Sequence, residues 1–421
     1  MHAILASLGT DGDVLPFMGL GVALRARGHR VTVVAAEDYA DKVAAHWLEF
    51  RELVSAAKMR ELLANPYFWH PIKTARFTAA WATSLIKPQY DLFSGLAEDK
   101  EAVFITNPSI LAAQIAHEKT GRLFATVVLQ PWLIPSSSAP PVMPLVGLPL
   151  WAPPFMHKLF FKAANLAADL LFGPRLNRLR QEVGLKPMRN LLHNWLAKDL
   201  VIGMFPEWFG PPQRDWPPQV RLTGFPLFDA TLNRSLPAGL HEFLSNQKPT
   251  IVFTFGSGMM HGSQLFEAAS RVCDQLNVQG LFINRFQTVA APPHMFHATF
   301  IPFREIFPRC AAIVHHGGIG TTAEALAAGR PQLILPLGFD QLDNGVRVRN
   351  LGAGLHTPSK HNFVARSQPL RERDVTEIAN KLAVLLQPSF QAAASKFADR
   401  VRTERGLEKA ADLIEKFAAA R

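Results

Sequence analysis

Short apolar runs alternate along the chain with glycine-bearing polar turns and amphipathic stretches, a pattern that predicts parallel strands joined by helices. Residues 2–8 form the first apolar run, and Gly9-Thr10-Asp11-Gly12-Asp13 turns the chain. Phe17, Leu20, Val22, Ala23 and Leu24 then recur at helical spacing and predict a helix from Pro16 to Arg27, closed at Gly28. Val31–Ala35 is the next strand and completes a βαβ unit. Further strands are expected at Ala102–Ile105, Phe124–Val128 and Val201–Met204, with a helix over Ile110–Lys119. Residues 50–100 are rich in aromatics and helical in period, and 206–226 are dense in proline.

The alternation restarts at Thr250–Phe255, which stops at Gly256-Ser257-Gly258. A helix (Gln264–Leu276), a strand (Gly280–Asn284) and a second strand (Ala311–Val314) follow. The last of these breaks at His315-His316 into Gly317-Gly318-Ile319-Gly320-Thr321-Thr322, ahead of a helix over Ala323–Ala328 that ends at Gly329. Gln332–Leu337 is another strand, ending in Asp340, Gln341 and Asn344, and Val375–Arg421 is helical apart from a break near Pro388. The fold expected is α/β, two doubly wound parallel sheets facing a cleft. The domains are 1–226 and 249–387, joined by a linker over 227–248 and followed by a closing helix over 388–421 able to cross back onto the first.

At 421 residues the chain is too long for one core, and 48% hydrophobic with 19% charged residues is the balance of an ordered globular protein. Cys273 and Cys310 have neither disulfide-framework nor metal-ligand spacing, so a reducing, cytoplasmic setting is expected. The N-terminus reads as a strand rather than a signal peptide, and the uncharged segment 123–156 carries too many prolines to span a membrane. The net charge of +10 is scattered, without the basic block of a nucleic-acid protein. Trp151 to Lys186 mixes Phe, Leu and Trp with Lys158, Lys162, Arg175, Arg178 and Arg180. That stretch reads either as an ordinary helix with a solvated basic face or as a surface that skims an anionic membrane.

The His316–Thr322 turn has three readings. It is a diphosphate cradle of turn amides, the Thr321 hydroxyl and an imidazole. It is a dinucleotide fingerprint, Gly318-x-Gly320-x-x-Ala323 with Asp340 as the acid, which a nicotinamide dehydrogenase would use. Or it is a tight strand-to-helix turn and nothing more. The doubled histidine argues against the nicotinamide reading. Asp11-Gly12-Asp13 is formally a metal-binding D-x-D, but its place after the first strand suits Asp13 better to taking a proton from a bound hydroxyl. It is also a plausible helix cap. Asp340 and Gln341, with Asn344, suit vicinal sugar hydroxyls.

Taken together these residues resemble the family 1 glycosyltransferases, which have the two-domain GT-B fold. The resemblance rests on Phe300-Ile301-Pro302-Phe303, His316-Gly317-Gly318, Thr321-Thr322, Glu324, and Asp340-Gln341 with Asn344. Gly9-Thr10-x-Gly12-Asp13-Val14-x-Pro16 is similar to bacterial members, and short blocks such as TGFPLFD and HHGGIG look most like bacterial enzymes that attach rhamnose to a hydroxy-fatty acid. Relatives acting on sterols, flavonoids or macrolides share several of these blocks. The resemblance implies that the N-terminal domain binds acceptor and the C-terminal domain a nucleotide sugar. Phe300 would stack on the base beside Pro302 and Phe303. His316, Gly318, Gly320, Thr321 and Thr322, with Ser257 and Gly12, would hold the diphosphate. Glu324 would bind ribose, and Asp340 and Gln341 the sugar. Asp13 is then the catalytic base and His316 the second catalytic residue. Asn107 stands where plant members carry an Asp that orients their histidine base.

The implied reaction is a metal-independent, inverting transfer of rhamnose from dTDP-rhamnose or glucose from UDP-glucose, with no further cofactor. An apolar acceptor with one reactive hydroxyl is expected, because the aromatic 60–95 region and the proline-rich 123–156 segment could roof a greasy pocket. Phe68, Trp81 and Trp132, with Asn107, are its candidate lining. A nucleotide-sugar epimerase of the same fold, or a non-catalytic sensor, are the other readings.

Overall fold

The computed structural model describes residues 1–70, 73–143, 147–230, 236–258, 263–285, 291–358 and 370–420. Linker positions 231–235, and Pro144 of the proline-rich segment, lie outside the described residues. The chain divides into two compact units. One comprises Met1–Pro141, Gly147–Ala230 and Arg405–Arg421; the other comprises Val142–Val146 and Thr231–Glu404.

The first unit holds seven parallel strands: β1 (His2–Ala6), β2 (Arg30–Ala36), β3 (Glu49–Val54), β4 (Ala102–Thr106), β5 (Leu123–Val128), β6 (Val201–Gly203) and β7 (Val220–Leu222). Their order is β3-β2-β1-β4-β5-β6-β7. Central β1 pairs in parallel with β2 on one side and β4 on the other, His2 lying opposite Arg30 and Ala102. Every residue of β1 and β4 is buried, as strands covered on both faces require. The final helix, Gly406–Ala419, packs on this unit, where the Arg27 guanidinium donates to Asp412 (2.6 Å) and Glu415 (2.7 Å). A Cβ at Gly406 would lie 2.6 Å from the carbonyls of Gly224 and Phe225, so only glycine allows that approach.

The second unit repeats the plan with six parallel strands: β8 (Thr250–Thr254), β9 (Gln279–Ile283), β10 (Met295–Ala298), β11 (Ala312–His315), β12 (Gln332–Ile334) and β13 (Gly354–His356). Their order is β10-β9-β8-β11-β12-β13. In both sheets the winding reverses beside the first strand, between β1 and β4 and between β8 and β11. Ligands of open parallel sheets bind at the carboxyl ends of the strands at that switch point. Both cysteines are buried and free, their thiols pushed up to about 12 by burial.

Several boundaries differ from the sequence expectation. The first helix runs Asp11–Arg25, five residues ahead of Pro16, because Thr10 rather than the proline starts it. The helix after the glycine turn begins at Ile319, not Ala323. Residues 50–54, the start of the region with helical period, belong instead to strand β3. Strands β7, β10 and β13 were not expected.

Candidate functional site

The turn after β1 is built around one carboxylate. Because the helix starts at Asp11, Asp13 is its third residue, where a negative side chain meets the exposed amides and the positive end of the dipole. Asp13 Oδ2 accepts from the Thr10 backbone N–H at 2.9 Å and from the Thr10 hydroxyl at 3.5 Å. Among the described residues its Oδ1 accepts no hydrogen bond. Burial pushes the carboxyl up to about 6, with Asp11 adding to the rise and the Thr10 bonds opposing it. A carboxylate poised there is mostly ionised at neutral pH, yet basic enough to take a hydroxyl proton.

The rest of the turn holds that carboxylate in place. Gly9 has φ +148, and a Cβ there would lie 2.1 Å from Asp13 Oδ2. The Ser7 hydroxyl donates to the Asp13 carbonyl at 2.8 Å, and the Asn107 amide donates to Ser7 Oγ at 3.2 Å and the Leu8 carbonyl at 3.3 Å. Asn107 Oδ1 accepts from Ser109 at 2.6 Å. The Asn107 carboxamide, a candidate for the acceptor, therefore braces the turn through its nitrogen, while its oxygen is taken by Ser109. Asp11 behaves differently from Asp13: its Oδ1 accepts from the Tyr39 hydroxyl (2.9 Å) and Lys42 (3.0 Å). Gly12 is exposed between them. We expect Gly9→Ala to displace the Asp13 carboxylate and lower kcat by about 10²-fold, the usual cost of a misplaced catalytic group, while nucleotide affinity measured by calorimetry stays unchanged.

The glycine turn after β11 separates the two histidines. His315 is fully buried; its Nδ1 accepts from the Gly317 N–H at 3.1 Å and its Nε2 pairs with Gln332 Oε1 at 2.9 Å, a pattern that puts the proton on Nε2. The Gln332 amide donates onward to the Thr322 carbonyl at 3.3 Å. This chain ties both ends of the turn to β12. Burial, with His316 adding, lowers the His315 pKa to about 3, so it is a neutral structural member.

His316 projects at the switch point instead, its ring set between two glycines. A Cβ on Gly256 (φ +87) would lie 2.9 Å from its Cε1, and one on Gly318 would lie 2.4 Å from its Nε2. Burial lowers its pKa to about 4 against the pull of the Thr254 backbone. At neutral pH it is therefore uncharged, able to hydrogen-bond but not a cation. Gly318 caps the helix Ile319–Ala327, and the first intrahelical bond is Thr322 N–H to the Gly318 carbonyl at 3.0 Å. The amides of Ile319, Gly320 and Thr321 thus have no acceptor within the helix and point at its open end. The Thr322 hydroxyl turns back onto the Gly318 carbonyl at 3.0 Å and is buried, whereas Thr321 and Gly320 are half-buried. Ser257 follows Gly256 and is half-buried at the end of β8.

The remaining donor candidates lie on the same unit. Phe300 is 40% exposed just past β10, Pro302 caps the short helix Phe303–Ile306, and the Phe303 ring stacks inward on Phe307 at 4.4 Å. Glu324 Oε1 lies 3.5 Å from Arg304 Nε. Asp340 Oδ2 accepts from the Asn344 amide at 2.7 Å, and the same amide donates to the Gly317 carbonyl at 2.9 Å, so Asn344 couples the loop to the turn. Gln341 Oε1 accepts from the Leu337 and Gly338 amides at 2.7 and 3.0 Å, which fixes that loop. The sequence does not single out Gln332 or Arg304, or His315 as a brace, and it suggests sugar hydroxyls for Asn344, whose amide nitrogen instead serves Gly317 and Asp340. A lone glutamine in the apolar run after Pro331 was the available signal, since a buried amide in a strand needs a partner.

The acceptor candidates lie on the first unit. Phe68 packs edge-on against Trp69 at 5.2 Å, Trp81 is buried on the helix Thr74–Ser84, and Trp132 is half-buried on the single turn Pro131–Leu133. Among the described residues no three His, Cys, Asp or Glu side chains group as metal ligands would.

Two family models match the chain. Residues 3–136 match the glycosyltransferase family 28 N-terminal domain, and residues 265–406 match the C-terminal domain of erythromycin biosynthesis protein CIII-like proteins. Vancomycin aglycone glucosyltransferase of Amycolatopsis orientalis is 29% identical over 430 residues, covering 98% of this chain and 97% of its own. O-mycaminosyltylonolide 6-deoxyallosyltransferase of Streptomyces fradiae is 26% identical over 455 residues, covering 100% and 98%. In structure the chain is similar to spinosyn rhamnosyltransferase SpnG complexed with thymidine diphosphate, with a TM-score of 0.69 at 17% identity over 99% of this chain and 100% of that one. With a glycosyltransferase N-terminal domain model and an erythromycin CIII-like C-terminal domain model matched in order, relatives aligned end to end and a parallel α/β sheet in each unit, the chain is a sugar-transferring enzyme of GT-B fold.

Proposed function

We propose that the enzyme transfers a hexose from a dTDP- or UDP-linked donor to a hydroxyl of an apolar natural product, with inversion and without a metal ion. The reading is supported by the chemistry at each switch point taken by itself: a carboxyl raised to about 6 with an open Oδ1 on one, and a neutral histidine beside helix amides that have no acceptor within the helix on the other. The acceptor O–H gives its proton to Asp13 Oδ1 as its oxygen bonds to the anomeric carbon. The bond from that carbon to the phosphate oxygen breaks, and its electron pair leaves with the diphosphate. The turn amides, the Thr321 hydroxyl and the His316 N–H meet the charge that develops there. Glu324, oriented by Arg304, is assigned to the ribose, Phe300 to the base, and Asp340 with the Gln341 amide to the sugar. Thymidine diphosphate bound by the spinosyn enzyme, and the aglycone acceptor of the vancomycin enzyme, support the donor and acceptor classes.

Metal independence rests on the different partners of Asp11 and Asp13, since a cation at D-x-D would have to displace Lys42 from Asp11. Activity is expected to be unchanged by excess EDTA; loss on chelation with recovery on Mn²⁺ would revive the metal reading. The function itself is tested by mass spectrometry of products from dTDP-rhamnose and UDP-glucose, each offered a hydroxy-fatty acid and a flavonoid. A glycosylated apolar product is expected. Donor turnover with no acceptor would point to an epimerase instead, and transfer only to hydrophilic sugars would overturn the acceptor assignment.

A further inference from the structure

The helix Pro154–Glu182 of the first unit carries a face that the transfer chemistry does not use. Its Ala168, Leu176 and Leu179 are buried in the core of that unit. On another side Phe155, Leu159, Leu166 and Leu170 are 62–70% exposed, and Leu150 and Trp151, just ahead of the helix, are 56% and 83% exposed. Phe155, Leu159, Leu166 and Leu170 are spaced by four, seven and four residues, about one, two and one helical turns, so these side chains fall in a stripe along one side of the helix. A row of large exposed apolar side chains on a water-facing helix marks an interaction surface.

The charges beside the stripe select its partner. Lys158 and Lys162, both exposed, sit four residues apart along one edge, and Arg178 is exposed farther along. The helix has two acidic residues: Asp169, which accepts the backbone amides of Asn190 (2.8 Å) and Leu191 (2.9 Å), and Glu182 at its end. The stripe therefore offers no carboxylate to a basic partner. An indole and a phenyl ring at one end, leucines along the middle and ammonium groups at the margin match the layering of a phospholipid interface. Among the described residues no helix is long and apolar enough to cross a membrane, so the fit is to the surface.

We propose that this helix docks the enzyme, lying flat, on an anionic phospholipid bilayer through Trp151, Phe155, Leu159, Leu166 and Leu170, with Lys158 and Lys162 on the head groups. The docking is independent of the sugar-transfer reading and would place the enzyme where apolar acceptors partition. It is tested by co-sedimentation of the full chain with vesicles of phosphatidylcholine alone or mixed about equally with phosphatidylglycerol. Wild type is expected to bind the anionic vesicles at least about tenfold more tightly than the neutral ones, less so at high salt. Leu159→Gln combined with Leu166→Gln and Leu170→Gln should lower that binding by about tenfold or more, with turnover of a water-soluble acceptor and the thermal midpoint unchanged. Lys158→Glu with Lys162→Glu should remove the preference for anionic lipid. Wild type remaining in the supernatant with both vesicles would overturn the proposal, as would binding indifferent to both sets of substitutions. A dimer in light scattering that the leucine changes dissociate, without vesicle binding, would assign the stripe to a second copy of the chain instead.

Discussion

Asp13→Asn is expected to lower kcat by about 10²–10⁴-fold while leaving nucleotide-sugar affinity within about twofold. The amide keeps the size of the carboxylate and can still accept from Thr10 through its oxygen, so the turn and the start of the first helix are retained. What it loses is the ability to accept the acceptor's proton. Stability separates this from misfolding. The folded state raises the Asp13 carboxyl from 3.8 to about 6, so the native protein binds more protons than the unfolded chain across that interval. The carboxyl's contribution to stability therefore falls as pH rises from 3.8 through about 6, and it is wholly unfavourable above that. The Asn variant should melt higher than wild type at neutral pH, with the gain fading as pH falls toward 3.8. A less active but more stable protein is the signature of a functional carboxylate held at a cost to the fold. Full turnover in the variant would remove Asp13 from its assigned role.

His316→Ala is expected to lower kcat by about 10²–10³-fold, the loss seen when a preorganised donor to developing charge is removed. Because burial holds the imidazole near pKa 4, it is already neutral through the ordinary histidine range. The wild-type pH profile should thus show no titration step near 6.5 from this residue. Substitution also empties the space between Gly256 and Gly318, so donor affinity should weaken as the turn relaxes. His315→Ala would act differently: it breaks the link from Gly317 to Gln332, and its effect should appear in stability as well as turnover. A His316→Ala enzyme with kcat within about twofold of wild type would show that the turn amides suffice for the leaving diphosphate.

The sequence made the centre of each sheet legible and hid the edges. β1, β4, β5, β8 and β11 are nearly continuous apolar runs because helices cover both faces. The strands that were missed, β3, β7, β10 and β13, are the four at the sheet edges. β3 reads EFRELV, with exposed Glu49, Arg51 and Glu52, and β7 and β13 are three residues each, so neither periodicity nor length marks them as strands. Proline suits a first turn and so marks Pro16 as the helix start, yet Thr10 and Asp13 begin the helix earlier. That shift turned Asp13 from a loop residue into a helix-terminal one. The motif residues of both turns were legible, since glycine, histidine and aspartate at those spacings are chemically specific. Their supports were not: Asn107 reaches Ser7 across 100 positions, and His315 reaches Gln332 across 17. Such pairs are joined by the sheet and not by the sequence.

The pH dependence of kcat/KM, measured on wild type and Asp13→Asn with a non-titrating acceptor, tests the central claim most directly. For wild type the rate should rise with pH through a single step near 6 and level off above it, because the carboxylate form of Asp13 is the active one. In Asp13→Asn the residual rate should be flat through that interval. A step of unchanged position in the variant, or a wild-type rate independent of pH across it, would contradict the assignment of Asp13 as the base.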